Sequence, residues 1–268
     1  MEYLLLIIIM IIGCCLAYDA FIREPRQLIT RKMTIETKTA KDFHIAFFSD
    51  IHFTTYNFPY RSSNIINKLQ EMKPDIIIFG GDLIDKQWED TAFLLDLKVF
   101  LKSLQAPYGV YFVCGNHDAS YISHETYHSF MKSCGIHALN NETVAIHDLD
   151  VLIGGCEDAL FGKPVTSLIE ARTHATQILI SHEPDVLDKM NLKHIDIALS
   201  GHTHGGQIRI PYLYKLVLPT LGRRYIKGKY NIQNTTLIVS SGIGGALFSA
   251  RFLNPPEIID IHCKQRSQ

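Results

Sequence analysis

Two histidines stand between glycines in the run Ser200–Gln207 (SGHTHGGQ). A His-x-His pair cannot share one face of a helix, but on a loop after the apolar residues 195–199 both imidazoles can reach one small volume. The glycines permit the φ angles that such a crowded turn requires. Because imidazole is a common metal ligand, the run predicts a metal site.

Polar clusters also end four other short apolar runs. These runs, at 44–48, 75–79, 108–114 and 177–180, lead into Asp50-Ile51-His52, Gly81-Asp82, Gly115-Asn116-His117-Asp118 and Ser181-His182. Runs this short and apolar are typical of strands buried on both faces. In open α/β sheets, ligands bind at the C-terminal ends of the strands. Five clusters at such ends predict a metal site rather than a set of unrelated turns.

The five clusters resemble the motif series of the calcineurin-like metallophosphoesterase superfamily, which is D-x-H, G-D, G-N-H-D/E, an isolated H and G-H-x-H. All five occur here in family order, between Asp50 and His204. The resemblance implies an α/β fold, namely a four-layer α/β/β/α sandwich of two packed mixed sheets flanked by helices. It also implies a metal-dependent phosphoesterase.

The resemblance further implies a pair of divalent metal ions. One ion would be bound by Asp50, His52 and His204, the other by Asn116, His182 and His202, and Asp82 would bridge them. Two ions about 3.5–4 Å apart clamp a phosphoryl group and lower the pKa of a bound water. Nitrogen and oxygen ligands without thiolate suit Mn, Fe, Zn or Mg, and we favour Mn.

His117 matches the family histidine that binds no metal. It would stabilise the transition-state charge and protonate the leaving oxygen, which suits an imidazole with a pKa near neutrality. Asp118 would orient its ring, the alternative being that Asp118 caps the following segment. Arg209 and Arg251 are the basic residues best placed in sequence to meet a phosphate, and surface salt bridging is the alternative for both.

An uncharged apolar run precedes the catalytic motifs, from Leu4 to Tyr18. Its helical length, about 24 Å, is short of the roughly 30 Å hydrocarbon core of a bilayer, so it is a marginal membrane span or a signal-peptide segment. No basic residue precedes it, and Cys15-Leu16-Ala17 is a poor cleavage site. Positive charge follows it instead, at Arg23, Arg26, Arg31 and Lys32. We therefore predict an anchor in the inner membrane with the catalytic domain in the cytoplasm.

The chain divides by composition into three parts: a membrane anchor over 1–20, a juxtamembrane linker over 21–43 with an edge strand near 33–37, and a catalytic domain over 44–263. Helices are predicted at 61–72, 91–104, 123–133 and 164–172. The net charge of −1 gives no support for nucleic-acid binding. Six cysteines without disulfide-like spacing favour a reducing compartment.

Several functions fit these motifs. The main hypothesis is hydrolysis of phosphodiester or pyrophosphate bonds, on a phosphorylated small molecule or a lipid-linked substrate. The run 201–211, with Ser241–Gly245 and Arg251–Glu257, resembles a bacterial membrane-attached subgroup that includes general phosphodiesterases and UDP-2,3-diacylglucosamine pyrophosphatases. The apolar stretches 212–221 and 243–252 would then bind acyl chains, or else pack as ordinary loops. An exported general phosphoesterase is the alternative, and a non-catalytic scaffold would be expected to lose the ligands that are present here.

Overall fold

Strands form the centre of the molecule, in two sheets of six. The computed structural model describes residues 2–85, 87–245 and 248–266, so Met1 of the predicted anchor and residues 246–247 lie outside the described residues. The first sheet contains β1 (Ile29–Thr37), β2 (Phe43–Phe48), β3 (Ile76–Phe79), β4 (Val110–Phe112), β5 (His137–Ala138) and β12 (Glu257–Gln265), in the order β1-β12-β2-β3-β4-β5. The second contains β6 (Glu142–Ile146), β7 (Val151–Gly155), β8 (Thr176–Ile180), β9 (Ile197–Ser200), β10 (Gly228–Ile232) and β11 (Thr235–Val239), in the order β10-β11-β9-β8-β7-β6.

Five α-helices occur among the described residues: α1 (Glu2–Tyr18), α2 (Phe58–Met72), α3 (Thr91–Ser103), α4 (Asn116–Tyr121) and α5 (His124–Ser133). They include three of the four predicted helices. The fourth prediction, a helix over 164–172, is wrong, because this segment forms turns and bends. Val165, Leu168 and Ile169 have the apolar spacing of three and four residues that predicts a helix, but Val165 is exposed, and only Leu168 and Ile169 pack near Gly154.

The sheets pack face to face between outer layers. In β2, Ile45 and Phe47 face the second sheet, whereas Ala46 and Phe48 join the core beneath the helices. Burial on both faces explains why these strands read as continuous apolar runs. The far face of the second sheet is covered by loops and by the 3₁₀ helix Pro184–Lys189. The expected α/β fold with two packed sheets is confirmed, and among the described residues the layer outside the second sheet consists of loops and this 3₁₀ helix.

Strand direction brings the motif blocks to one edge. β2, β3 and β4 run parallel in the first sheet, and β8 and β9 run parallel in the second. Each of these five strands ends next to one of the five polar clusters. The site therefore lies where the C-terminal edges of two packed sheets meet.

The N-terminal segment is joined firmly to the domain. The expected linker over 21–43 contains β1, which pairs along its whole length with β12, so this part belongs to the sheet. The Glu24 carboxylate accepts hydrogen bonds from the backbone amides of Leu253 and Asn254, and the Arg251 amide donates to the Ala20 carbonyl at 2.8 Å. Linkers are usually flexible, but this segment is held by strand pairing with β12 and by hydrogen bonds to the loop that contains Arg251 and Asn254.

One helical stretch among the described residues, Glu2–Arg26, is long and apolar enough to cross a membrane by length and composition. It has 25 residues and a mean hydropathy of 2.6, and none of its most apolar window is buried. The stretch is longer than the apolar run of the sequence because α1 is followed directly by a π-helical turn, Asp19–Arg23, and a 3₁₀ turn, Glu24–Arg26. At 1.5 Å per residue the 17 residues of α1 span about 26 Å, close to the roughly 30 Å of a hydrocarbon core, whereas Glu24 and Pro25 are buried against the domain.

Candidate metal centre

The loops that carry the predicted ligands turn in the left-handed region of φ. The residues concerned are Asp50 (51°), His52 (47°), Asp82 (57°), His202 (68°) and His204 (49°). Positive φ is uncommon for residues with a side chain, and where it persists the surrounding structure must hold it. Here positive φ occurs in five residues that follow the ends of β2, β3 and β9 and whose side chains point into one volume.

The first group of predicted ligands is Asp50, His52 and His204, whose nearest nitrogen and oxygen atoms all lie within 4.8 Å of one another. The Nε2 atoms of His52 and His204 are 3.2 Å apart, and His204 Nε2 is 3.7 Å from Asp50 Oδ1. All three side chains are buried. The structure therefore brings this predicted trio together.

The second group contains Asp82, His182 and His202, which also lie within 4.8 Å of one another. His182 Nε2 is 3.1 Å from Asp82 Oδ2, and Asn116 Oδ1 is 2.9 Å from His202 Nδ1. Asp82 Oδ2 is in addition 3.7 Å from His52 Nε2, in the first group. Asp82 thus lies between the two groups, where a bridging carboxylate has to lie.

The hydrogen bonds of two imidazoles show that the site fits cations. His182 Nδ1 lies 2.6 Å from the Gly80 carbonyl, which can only accept, so Nδ1 carries the proton. In the neutral ring this leaves a lone pair on the buried Nε2, which has no hydrogen-bond partner among the described residues and faces Asp82. In the same way, His202 Nε2 donates to the Thr220 carbonyl at 2.7 Å, and its Nδ1 faces the Asn116 oxygen. Lone pairs that converge in this way suit divalent metal ions.

The charge states of the buried groups agree with metal binding. Burial, assisted by the neighbouring His182, lowers the pKa of His202 to about 4. Burial and His52 hold the pKa of His204 well below its ordinary value. For Asp82, burial alone would raise the pKa, but His182 and His52 keep it well below the usual range. At neutral pH His202 and His204 are therefore neutral and Asp82 is ionised, which are the forms that bind metals. For His182, burial alone would lower the pKa, but the neighbouring Asp82 raises it well above its ordinary value.

Two glycines allow these loops to approach one another. A Cβ atom at Gly115 would lie 2.6 Å from the backbone nitrogen of Asp82, and one at Gly81 would lie 2.7 Å from that of Gly115. Neither neighbour is the end of a flexible side chain, so a larger residue would push the β3 and β4 loops apart. The glycines in the G-D and G-N-H blocks are thus required by packing around Asp82.

His117 lies beside the predicted metal ligands and lines the adjoining cavity. Its Nδ1 is 2.8 Å from Asp85 Oδ1, and His52 Nδ1 is also 2.8 Å from that oxygen. The hydrogen bond to Asp85 raises the pKa of His117 although burial opposes it. Asp85 was missed by the sequence analysis; the available signal was a carboxylate three residues after Asp82 on the same loop.

The expectation that Asp118 orients the His117 ring is corrected by the structure. The Asp118 carboxylate is fully buried and accepts hydrogen bonds from the backbone amides of Asp82 (2.7 Å), Leu83 (2.9 Å) and Gly115 (3.0 Å). Asp118 occupies the third position of α4, from which a side chain reaches back to the helix N-terminus. It caps α4 and fixes the loop of Asp82, as the alternative interpretation proposed.

The two arginines considered for phosphate binding have different roles in the structure. Arg251 is fully buried and donates to the backbone carbonyls of Gly244, Asn254 and Ser241, so it organises the loop after β11. The Arg209 guanidinium lies over the ring of Tyr214, 5.3 Å from its centroid. Arg251 is therefore removed from the candidate phosphate ligands.

Replacing Asp85 with asparagine is expected to weaken metal affinity or activity by about 10- to 100-fold, because it removes the charged acceptor of both His52 and His117. Metal titration and steady-state kinetics measure the two effects separately. Asp96→Asn, on the exposed face of α3, serves as the control for loss of an aspartate charge. A variant with unchanged metal affinity and unchanged kcat would show that Asp85 positions neither imidazole.

Comparison with known proteins agrees with this geometry. Residues 43–206 match the model of the calcineurin-like phosphoesterase family. The chain belongs to this family, and it is a metal-dependent phosphoesterase. The matched region contains all the predicted ligands and His117.

Relatives of known sequence extend the match beyond that region. The chain is 32% identical over 246 residues to the uncharacterized metallophosphoesterase YkuE of Bacillus subtilis, which covers 88% of this chain and 85% of the relative. It is 29% identical over 242 residues to the phosphodiesterase YaeI of Escherichia coli, which covers 87% of this chain and 86% of the relative. One solved crystal structure aligns with a TM-score of 0.51 at 11% identity, over 75% of this chain and 91% of that chain, and supports the fold alone.

Proposed function

We propose that this phosphoesterase uses two metal ions to cleave phosphodiester or pyrophosphate bonds in a lipid-linked substrate at a membrane surface. The observation that carries the proposal is a cavity of about 470 Å³ beside the ligand groups. The polar part of its lining is formed by Asp82, Asn116, His117, His202 and His204. The apolar part is formed chiefly by Ile208, Ile210, Leu213, Val217, Pro219 and Phe248. A ligand that joins a phosphate to an apolar group matches both parts of the lining.

Two ions would occupy the ligand groups, one with Asp50, His52 and His204 and the other with Asn116, His182 and His202, with Asp82 between them. When bound, such ions polarise phosphoryl oxygens and lower the pKa of a water to supply the nucleophile. Manganese is our first choice, since nitrogen and oxygen donors without thiolate suit it.

His117 would act on the leaving group. Its Nδ1 is held by Asp85, so Nε2 is left to meet the substrate. The hydrogen bond to Asp85 raises the pKa of His117 and so favours the protonated ring, which is the form that a general acid requires. The edge of the ring packs against His52, with centroids 4.7 Å apart, which restricts its rotation. From this position His117 can donate a proton to the oxygen that departs from phosphorus.

A substrate panel tests the proposed substrate class. With Mn²⁺ present, we expect cleavage of UDP-2,3-diacylglucosamine in detergent to far exceed cleavage of p-nitrophenyl phosphate, because only the former has acyl chains that can contact the apolar lining of the cavity. Bis-p-nitrophenyl phosphate reports the diesterase activity without a lipid. If the nucleotide lipid is not cleaved while the soluble diester is, the enzyme is a general phosphodiesterase instead.

Deletion of residues 2–18 should cost more activity on bilayer lipid than on bis-p-nitrophenyl phosphate. The deletion removes α1 but keeps the turns from Asp19 onward that pack on the domain. A tether that holds the site at the bilayer raises the effective concentration of lipid substrate only. Equal losses on both substrates would mean that the helix serves location alone.

The anchor would place the catalytic domain on the cytoplasmic side of the inner membrane, because Arg23, Arg26, Arg31 and Lys32 follow the apolar helix. Lys32 is exposed on β1, so a Lys32→Cys thiol is accessible to reagents. A membrane-impermeant maleimide is expected to label it only after the cells are permeabilised. Efficient labelling of intact cells would contradict this topology and favour an exported phosphoesterase.

A further inference from the structure

We infer that the segment Ile210–Val217, here called the rim segment, inserts into the interface of a lipid bilayer beside the anchor helix, so that the cavity opens at the membrane. The inference rests on the membrane attachment proposed above. It adds a second membrane contact, made by the catalytic domain itself.

The rim segment exposes large apolar side chains. It contains the 3₁₀ helix Leu213–Val217, in which no residue is buried. Tyr212 is 89% exposed, Leu216 80% and Val217 71%. Soluble proteins rarely expose contiguous apolar patches of this kind unless a partner or a membrane covers them. Exposed apolar side chains do not contribute to the free energy of folding through burial, so their exposure points to contact with something outside this chain.

Continuity with the anchor identifies the bilayer as that partner. At the base of the anchor, Phe21 stacks on Phe248, with ring centroids 6.4 Å apart. Phe248 in turn lines the cavity together with Leu213 and Val217 of the rim segment. An apolar surface therefore runs from the membrane-spanning helix along one wall of the cavity to the rim.

The junction between anchor and rim is also fixed by the backbone. The Arg209 amide donates to the Phe252 carbonyl at 2.8 Å, which ties the start of the rim segment to the loop after β11. The same loop is tied to the anchor through the bond from Arg251 to Ala20 and through Glu24. A bilayer that holds α1 must therefore lie at a set position relative to the rim segment.

The composition of the rim segment suits a membrane interface better than a protein partner. Tyr212 and Tyr214 are aromatic side chains with a polar end, which concentrate at the level of lipid headgroups. Lys215 lies among the aliphatic residues and can extend its charge to that level. Arg23 and Arg26, at the end of the anchor, add positive charge that attracts anionic lipids.

Quenching of tryptophan fluorescence by brominated lipids tests the contact in the full-length protein. The probe is Leu216→Trp in a Trp88→Phe background, since Leu216 does not line the cavity and Trp88 is the one native tryptophan. The control is Lys41→Trp, exposed before the start of β2, whereas the site follows the end of this strand, about 20 Å away. In vesicles of phosphatidylcholine and phosphatidylglycerol with brominated chains, we expect Leu216→Trp to lose fluorescence and Lys41→Trp to keep it.

The outcomes separate the rim contact from the membrane attachment. If Leu216→Trp is not quenched although the protein floats with the vesicles, the rim inference is overturned and the anchor stands. If the protein does not float with vesicles, the proposed attachment fails, and the rim inference with it. An emission shift to the blue without bromine quenching would show that another protein surface covers the rim, which also overturns the inference. Should Trp88→Phe impair folding, the same substitutions are compared with Trp88 retained and wild-type quenching subtracted.

Discussion

Asp82→Ala is expected to abolish phosphoesterase activity and to reduce the bound metal below two ions per chain. The Asp82 carboxylate lies between both ligand groups, 3.1 Å from His182 Nε2 and 3.7 Å from His52 Nε2. Without it, two cations would repel each other with no shared anion. Loss of metal-supplied stabilisation worth several kcal/mol lowers the rate at least about a thousand-fold. Metal content by mass spectrometry and turnover of bis-p-nitrophenyl phosphate measure the two effects.

Two controls make this result specific. Asp82→Asn keeps an oxygen that can accept the 2.8 Å hydrogen bond from the His117 amide but lacks the charge, so it separates bridging from loop structure. Asp96→Ala removes an exposed aspartate of α3 and should leave both readouts unchanged. An Asp82→Ala protein that retained two ions and full activity would exclude a bridging role.

His117→Ala is expected to retain both metal ions and to lose about 10²- to 10⁴-fold in turnover, the usual contribution of a general acid or base. His117 touches Asp85 and packs on His52, and its Nε2 is left to meet a substrate. The contrast with Asp82→Ala is the informative part, since one variant should lose metal and the other should not. A His117→Ala protein that lost a metal ion would place this imidazole among the ligands.

The clustering of the candidate ligands could be predicted because each follows a strand that is buried on both faces. Such strands read as short apolar runs, and parallel strands end at a common edge. The apolar runs by themselves do not show that two sheets share this edge, with Asp50, Asp82 and Asn116 from the first and His182 and His202 from the second; only the family resemblance implied two sheets. That arrangement depends on contacts between residues distant in the chain.

The partner of His117 could not be predicted from adjacency. Asp118 is its neighbour in sequence, but on the first turn of α4 its carboxylate points back to the backbone amides of the β3 loop. Asp85, far away in the chain, reaches His117 because β3 and β4 are neighbours in the sheet. The edge strand predicted near 33–37 is present as β1, but its start at Ile29 could not be predicted for a similar reason, since β1 is stabilised by pairing with β12 near the other end of the chain.

Anomalous diffraction from crystals grown with Mn²⁺, collected at the manganese edge, tests the central claim most directly. The account predicts two peaks about 3.5–4 Å apart, the spacing usual for two-metal sites. One peak should lie among Asp50, His52 and His204, the other among Asn116, His182 and His202, with Asp82 between them. A single peak, or two peaks that do not share Asp82, would contradict a dinuclear centre at this site.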